Sequence, residues 1–142
     1  MKEKRSPYCQ CLLFSANALS RVINRIAEEE YGLIGLSPSH AYILMAVIEQ
    51  PALQPCEICE MTMLTPSTVT RMIEKMEEKG LLERSSEGKN TFVYPTRKGV
   101  SMEKRVKEAW NNVLGRYREI LGTEQTCQLT TMIYDAAARL EK

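Results

Sequence analysis

Apolar residues recur along this chain at helical spacing for most of its length, and at strand spacing only once. From Cys11 to about Tyr31 they fall at Leu12, Ala16, Leu19, Ile23 and Ile26, in alternating steps of four and three, with Asn17, Arg21, Asn24 and Glu28 off the stripe. That is one face of a long helix. Gly32 and Gly35 break it, and Ser37-Pro38 opens a second helix, with serine as N-cap and proline at the first helical position. Ala41, Leu44, Met45 and Ile48 give this helix a buried face that ends before Pro51. After a short connection, Cys56 to Leu64 reads as a short helix whose less polar members are Ile58, Cys59, Met61 and Met63. Thr65-Pro66-Ser67 repeats the cap-plus-proline start. The helix it opens runs from Ser67 to Lys79, with Val69, Met72, Ile73 and Met76 inward, and stops at Gly80.

The period then changes. Leu81-Leu82-Glu83-Arg84 and Thr91-Phe92-Val93-Tyr94 flank the polar run from Ser85 to Asn90, which predicts a β-hairpin with a loop of about six residues. Thr96 caps one further long helix with the stripe Met102, Val106, Trp110, Val113, Tyr117 and Ile120. After Gly122-Thr123 a last helix carries Leu129, Met132, Ile133, Ala136 and Leu140. The fold expected is mainly α (α+β): about six helices, long at both ends of the chain, around a wing sheet of two to three strands. Residues 1–142 form one domain. Within it, 37–96 is a winged helix-turn-helix part, with the helix pair at about 56–79 and the wing at about 81–95.

Composition narrows the function classes. With 142 residues, 44% hydrophobic and 26% charged, the chain can bury a core. A net charge of +1 does not by itself announce a nucleic-acid binder, so any such role must rest on a local patch. No apolar run reaches the length of about eighteen residues that a membrane span needs. The start is charged and the apolar run after it lacks a signal-peptide cleavage site. No membrane partner and a cytoplasmic location are therefore expected. Five cysteines, an odd number, read as reduced thiols rather than a disulfide framework.

Two helices joined by a tight turn and followed by a hairpin make the winged helix-turn-helix order, in which the second helix enters the DNA major groove by its N-terminal residues. Here that end reads Thr65-Pro66-Ser67-Thr68-Val69-Thr70-Arg71. Short hydroxyl side chains at Thr65, Ser67, Thr68 and Thr70 let the backbone approach and donate to phosphates or bases. Arg71 has the fork that pairs with a guanine edge. The free N–H groups of a helix start favour a phosphate, and Lys75, Arg84, Lys89, Arg97 and Lys98 are the candidate backbone contacts. The plainer reading of the same run is a good helix start beside a solvated arginine. From Met61 to Lys98 there are seven Lys/Arg against five Asp/Glu, so charge does not decide between the two. The order of the elements favours DNA.

The run from Leu64 through Thr65-Pro66-Ser67-Thr68-Val69-Thr70-Arg71 to Arg84 resembles the recognition helix and first wing strand of the MarR family. Thr96-Arg97-Lys98-Gly99 resembles that family's Thr-x-x-Gly after the wing. The resemblance implies a homodimer built from the helices at 8–31 and 97–142. It also implies binding to a pseudo-palindromic operator in double-stranded DNA, usually as a repressor released by small aromatic acids, other lipophilic compounds or oxidants. One position departs from the pattern. Where family wings often carry an Asp-x-Arg pair, this chain has Ser86-Glu87-Gly88-Lys89, and Lys89 lacks the planar fork of arginine.

Other chemistry is sparse. Cys9-x-Cys11 and Cys56-x-x-Cys59 do not form the paired knuckles of structural zinc, and the chain has one histidine. No metal site and no cofactor are expected. Cys11 resembles the reactive cysteine of the family's organic-peroxide-sensing branch, with Cys9 as a nearby thiol, and Tyr42 stands one position off that branch's tyrosines. Thiol sensing is thus the alternative to a small-molecule inducer. With one His, one Asp and no glycine-rich phosphate loop, no catalytic constellation is present and no enzyme is expected. Asn17 and His40 are the candidates for an effector pocket, against a capping or core role for His40. The competing class is a winged-helix module that binds protein, which would expose apolar residues where this chain has hydroxyls.

Overall fold

The computed structural model describes residues 4–142. Among them run α1 (Leu12–Gly32), α2 (Pro38–Glu49), α3 (Pro55–Thr62), α4 (Pro66–Glu78), β1 (Leu82–Glu87), β2 (Asn90–Pro95), α5 (Arg97–Ser101), α6 (Glu103–Leu121) and α7 (Thr123–Leu140). The strands form one antiparallel sheet in which Leu82 pairs with Pro95 and Glu87 with Asn90.

Three helices start alike because the same local rule acts three times. Pro38, Pro55 and Pro66 each stand in the first turn after an extended N-cap residue, where proline's missing N–H costs nothing. Ser37 Oγ accepts from the His40 amide at 3.2 Å, and Thr65 Oγ1 from the Thr68 amide at 3.4 Å. The end of α4 is set by Gly80 at φ 73°. The Gly80 amide donates to Glu77 O and the Leu81 amide to Met76 O, both at 2.9 Å, which is the Schellman pattern. The chain is thereby turned straight into β1.

The core runs through the winged part and into the long helices. Ile43, Leu44 and Val47 of α2, Ile58 of α3, Val69, Ile73 and Met76 of α4, and Val93 of β2 are almost fully buried. Each such side chain contributes about 1.5–3 kcal/mol by leaving water. Ile26, Ala27 and Tyr31 of α1 and Val106, Ala109 and Val113 of α6 extend this cluster. Tyr117 Oη donates to the Ile23 carbonyl at 2.9 Å, and Arg116 pairs with Glu29 at 2.8 Å, so α6 is tied to α1.

Two expectations are corrected. The wing loop is two residues long, Gly88-Lys89, because Ser85, Ser86 and Glu87 continue β1 and pair with Phe92, Thr91 and Asn90. Gly88 at φ 62° supplies the backbone a two-residue hairpin needs. Secondly, the helix after the wing is two helices. The Met102 amide donates to Gly99 O, three residues back, so the turn tightens and α6 restarts at Glu103, making seven helices instead of six. The sheet has two strands, within the two to three expected, and among the described residues a single bridge, Leu53 to Val93, joins it.

The terminal helices leave apolar surface open. Leu12 and Leu13 are more than 70% exposed, as are Ile120 and Leu140, and Thr126 is the buried residue of α7.

Candidate nucleic-acid interface and cavity

The sequence of α4 divides the helix into two faces. Val69, Ile73 and Met76, at steps of four and three, hold it on the core. Thr65, Pro66, Ser67, Thr70, Arg71 and Lys75 are exposed, and Thr68 is half-buried. The hydroxyls gather at the N-terminus: Thr65 Oγ1 lies 2.8 Å from Thr68 Oγ1 and 3.4 Å from Ser67 Oγ. Thr65 and Thr68 are thus partly occupied with capping, which leaves Ser67, Thr70 and Arg71 as the outward-reaching groups. The ion pairs among the described residues do not include Arg71 or Lys75.

The basic residues expected beside this helix fall into two sets. Lys89 is exposed at the tip of the wing, and Arg97 is exposed at the start of α5. Arg84 and Lys98 have internal work. Arg84 Nε lies 2.5 Å from Glu77 Oε1, and Lys98 Nζ donates to the Lys79 carbonyl at 2.8 Å. Lys79, which the sequence did not single out, donates from Nζ to Gly35 O at 3.1 Å. The Thr-x-x-Gly step is a clamp at the same place. Thr96 Oγ1 donates to Gly80 O at 2.5 Å and accepts from the Gly99 amide at 3.0 Å. A Cβ on Gly99 would lie 2.1 Å from Leu81 O, so only glycine fits there.

A cavity of about 800 Å³ opens between α2, α3 and α6. Tyr31, Tyr42, Trp110, Tyr134 and three methionines, Met45, Met61 and Met63, are among the residues that line it. Tyr42 and Trp110 meet edge to face with ring centroids 5.8 Å apart. Burial, and behind it the neighbouring Tyr42 and Tyr117, push the Tyr31 phenol up to about 12. Met61 and Met63 are exposed on the cavity side, Met63 in the left-handed conformation that ends α3. The two residues expected at an effector pocket do not line this one. Asn17 is exposed on α1, while His40 sits half-buried in the first turn of α2. The His40 Nδ1 is buried without a hydrogen-bond partner among the described residues. Burial, then Lys79 and Lys75, hold its pKa below the usual value. The sequence did carry a signal for the cavity, the methionines flanking Thr62 and the lone tryptophan, but periodicity assigned Trp110 to a packing stripe.

Residues 34–90, which span α2 to the wing, match the family model described as MarR family. Over this segment the chain is similar to the MarR family. The HTH-type transcriptional repressor MdtR of Bacillus subtilis (strain 168) is 27% identical over 134 residues, covering 90% of this chain and 86% of MdtR. Among solved structures, the transcriptional repressor CouR bound to p-coumaroyl-CoA superposes with a TM-score of 0.84 at 18% identity, covering 96% of this chain and 98% of CouR. The PcaV transcriptional regulator of Streptomyces coelicolor, solved with its natural ligand, gives 0.81 at 15% identity, covering 95% and 97%. These likenesses carry the fold over nearly the whole length.

Within this MarR-type fold the thiols are scattered. Cys9 and Cys11 are exposed ahead of α1, with Cys11 as its N-cap residue, and the Cys9 carbonyl accepts from Ser15 Oγ at 3.3 Å. Cys56 and Cys127 are exposed, and Cys59 is half-buried on α3. Among the described residues no group of three His, Cys, Asp or Glu side chains is placed to hold a metal ion. Among the described residues no helix is long and apolar enough to cross a membrane.

Proposed function

We propose that this MarR-family transcriptional regulator is a homodimer that binds a pseudo-palindromic operator in double-stranded DNA and acts as a repressor released by a small lipophilic ligand. The observation that carries the reading is the two-faced α4. Its buried residues hold it on the core while Ser67, Thr70 and Arg71 reach out from its first two turns. A protein-binding version of the same face would be apolar. The wing tip with Lys89 and the start of α5 with Arg97 supply phosphate contacts on either side. CouR has been solved bound to a 23-mer DNA duplex, in a structure that this chain matches with a TM-score of 0.83. The open apolar residues of α1, α6 and α7 support the dimer, since a single copy leaves them in water. The cavity beside α2 supports a ligand rather than Cys11 oxidation as the releasing signal, because it joins the long helices to the winged part.

Selection of bound duplexes from a random pool tests this. The expected outcome is one enriched site with two half-sites about one helical turn apart, bound by a species that sediments as a dimer. Enrichment of no sequence, or a folded monomer at micromolar concentration, contradicts it.

A further inference from the structure

The cavity has a charge pattern that its apolar wall hides at first sight. Besides its tyrosines, two ionisable groups line it: Glu49, the last residue of α2, and Lys107 of α6. Lys107 already has its counter-ion, with Nζ 2.9 Å from Glu103 Oε1, and Glu49 adds a second negative charge in its surroundings. Glu103 thus occupies Lys107 from the neighbouring cleft, and Glu49 has no ion-pair partner within 4.0 Å among the described residues. Lys104 and Glu108 lie outside, on the shallow cleft next door, where they offset each other. An incoming carboxylate would meet a lysine already paired with Glu103. An incoming cation would meet the ring of Trp110, half-exposed at 51%, the rings of Tyr42 and Tyr134, and a carboxylate still lacking its partner. Aromatic faces attract cations through their quadrupole, and thioether side chains adapt to varied shapes.

We infer that the cavity selects aromatic lipophilic cations, with Glu49 as the counter-ion and Trp110 as the ring the charge lies against. This rests on reading the cavity as the effector site. The three methionines make the selectivity one of class rather than of a single compound.

Trp110 is the only tryptophan in the chain, so its emission reports on the cavity directly. Tetraphenylphosphonium and tetraphenylborate, nearly identical in shape and opposite in charge, are titrated into the full-length protein without DNA, and quenching is followed. Saturable quenching by the phosphonium at least about tenfold tighter than by the borate is expected, since about 1.4 kcal/mol of electrostatic preference is tenfold in affinity. Glu49→Gln should weaken phosphonium binding by a similar factor and narrow the gap between the ions, whereas Lys107→Gln should not weaken it. Borate binding as tight as phosphonium, saturable quenching by neither, or a Glu49→Gln protein with unchanged affinity overturns the inference. The ion comparison needs no variant, and the absence of DNA keeps its failure separate from failure of the DNA-binding reading.

Discussion

Arg84, on the first wing strand, is ion-paired through Nε to the Glu77 carboxylate in the last full turn of α4. The pair joins the two elements proposed to touch DNA and removes Arg84 from the set of open cations. Both side chains keep about a third of their surface, at 35% and 30%, so solvent screens the attraction. A double-mutant cycle of Arg84→Met and Glu77→Gln should give a coupling of about 0.2–1 kcal/mol in urea unfolding, shrinking as salt rises. Coupling of zero at low salt would show that the pair does not form in solution.

Gly99 fits against Leu81 O so tightly that a Cβ would overlap it at 2.1 Å, with Leu44 Cδ1 at 3.3 Å on another side. Gly99→Ala must therefore push α5 off the end of α4. A loss of about 1–3 kcal/mol is expected, the usual cost of overpacking. Because Thr96 clamps the same junction, Thr96→Val should also destabilise, by about 1–3 kcal/mol for the unsatisfied groups it leaves. An alanine at 99 that unfolds at the wild-type urea midpoint would contradict the packing described.

Two groups, the half-buried His40 and the buried Tyr31, give the stability a pH dependence with opposite signs. The His40 pKa is depressed below its ordinary 6.5 in the folded chain, by burial first and by Lys79 and Lys75 after it. The unfolded chain therefore takes the proton first, and stability is lost as pH falls from about 6.5 through the folded pKa. For Tyr31 the phenol is raised from 10.0 to about 12, again by burial. Stability is fully present below about pH 10 and is lost as pH rises toward about 12. Chemical unfolding of His40→Gln and Tyr31→Phe across pH should remove the acidic and part of the alkaline slope respectively. An unchanged acidic slope in His40→Gln would refute the assignment to His40.

How much of this was legible beforehand follows from where the physics is local. The cap-plus-proline starts at Ser37-Pro38 and Thr65-Pro66 and the stop at Gly80 depend on neighbours in sequence, and each stands within a residue of its expected place. The stripe Val69, Ile73, Met76 was readable for the same reason. The sequence makes the wing loop look longer than it is because Ser85 to Glu87 are polar on both faces, and an exposed strand with no buried side has no alternation to show. The break at Met102 escaped because it is one tightened turn, closed by the Met102 amide on Gly99 O, inside a stretch whose apolar period continues across it. The roles of Arg84 and Lys98 escaped likewise, since their partners lie at Glu77 and Lys79 across a turn. In the cavity the residue types were visible but not their convergence, which needs α2, α3 and α6 side by side.

The central claim is that the open face of α4 reads DNA sequence, and Arg71 tests it most directly. With the selected operator and an unrelated duplex of equal length, binding is measured by fluorescence anisotropy for wild type, Arg71→Ala and Lys89→Ala over a range of salt. Arg71→Ala should cost about 1–3 kcal/mol on the operator and relax base preference at one position of each half-site. Lys89→Ala should weaken both duplexes alike and flatten the salt dependence by about one unit of slope. An Arg71→Ala protein that keeps both the affinity and the base preference of wild type would contradict the account.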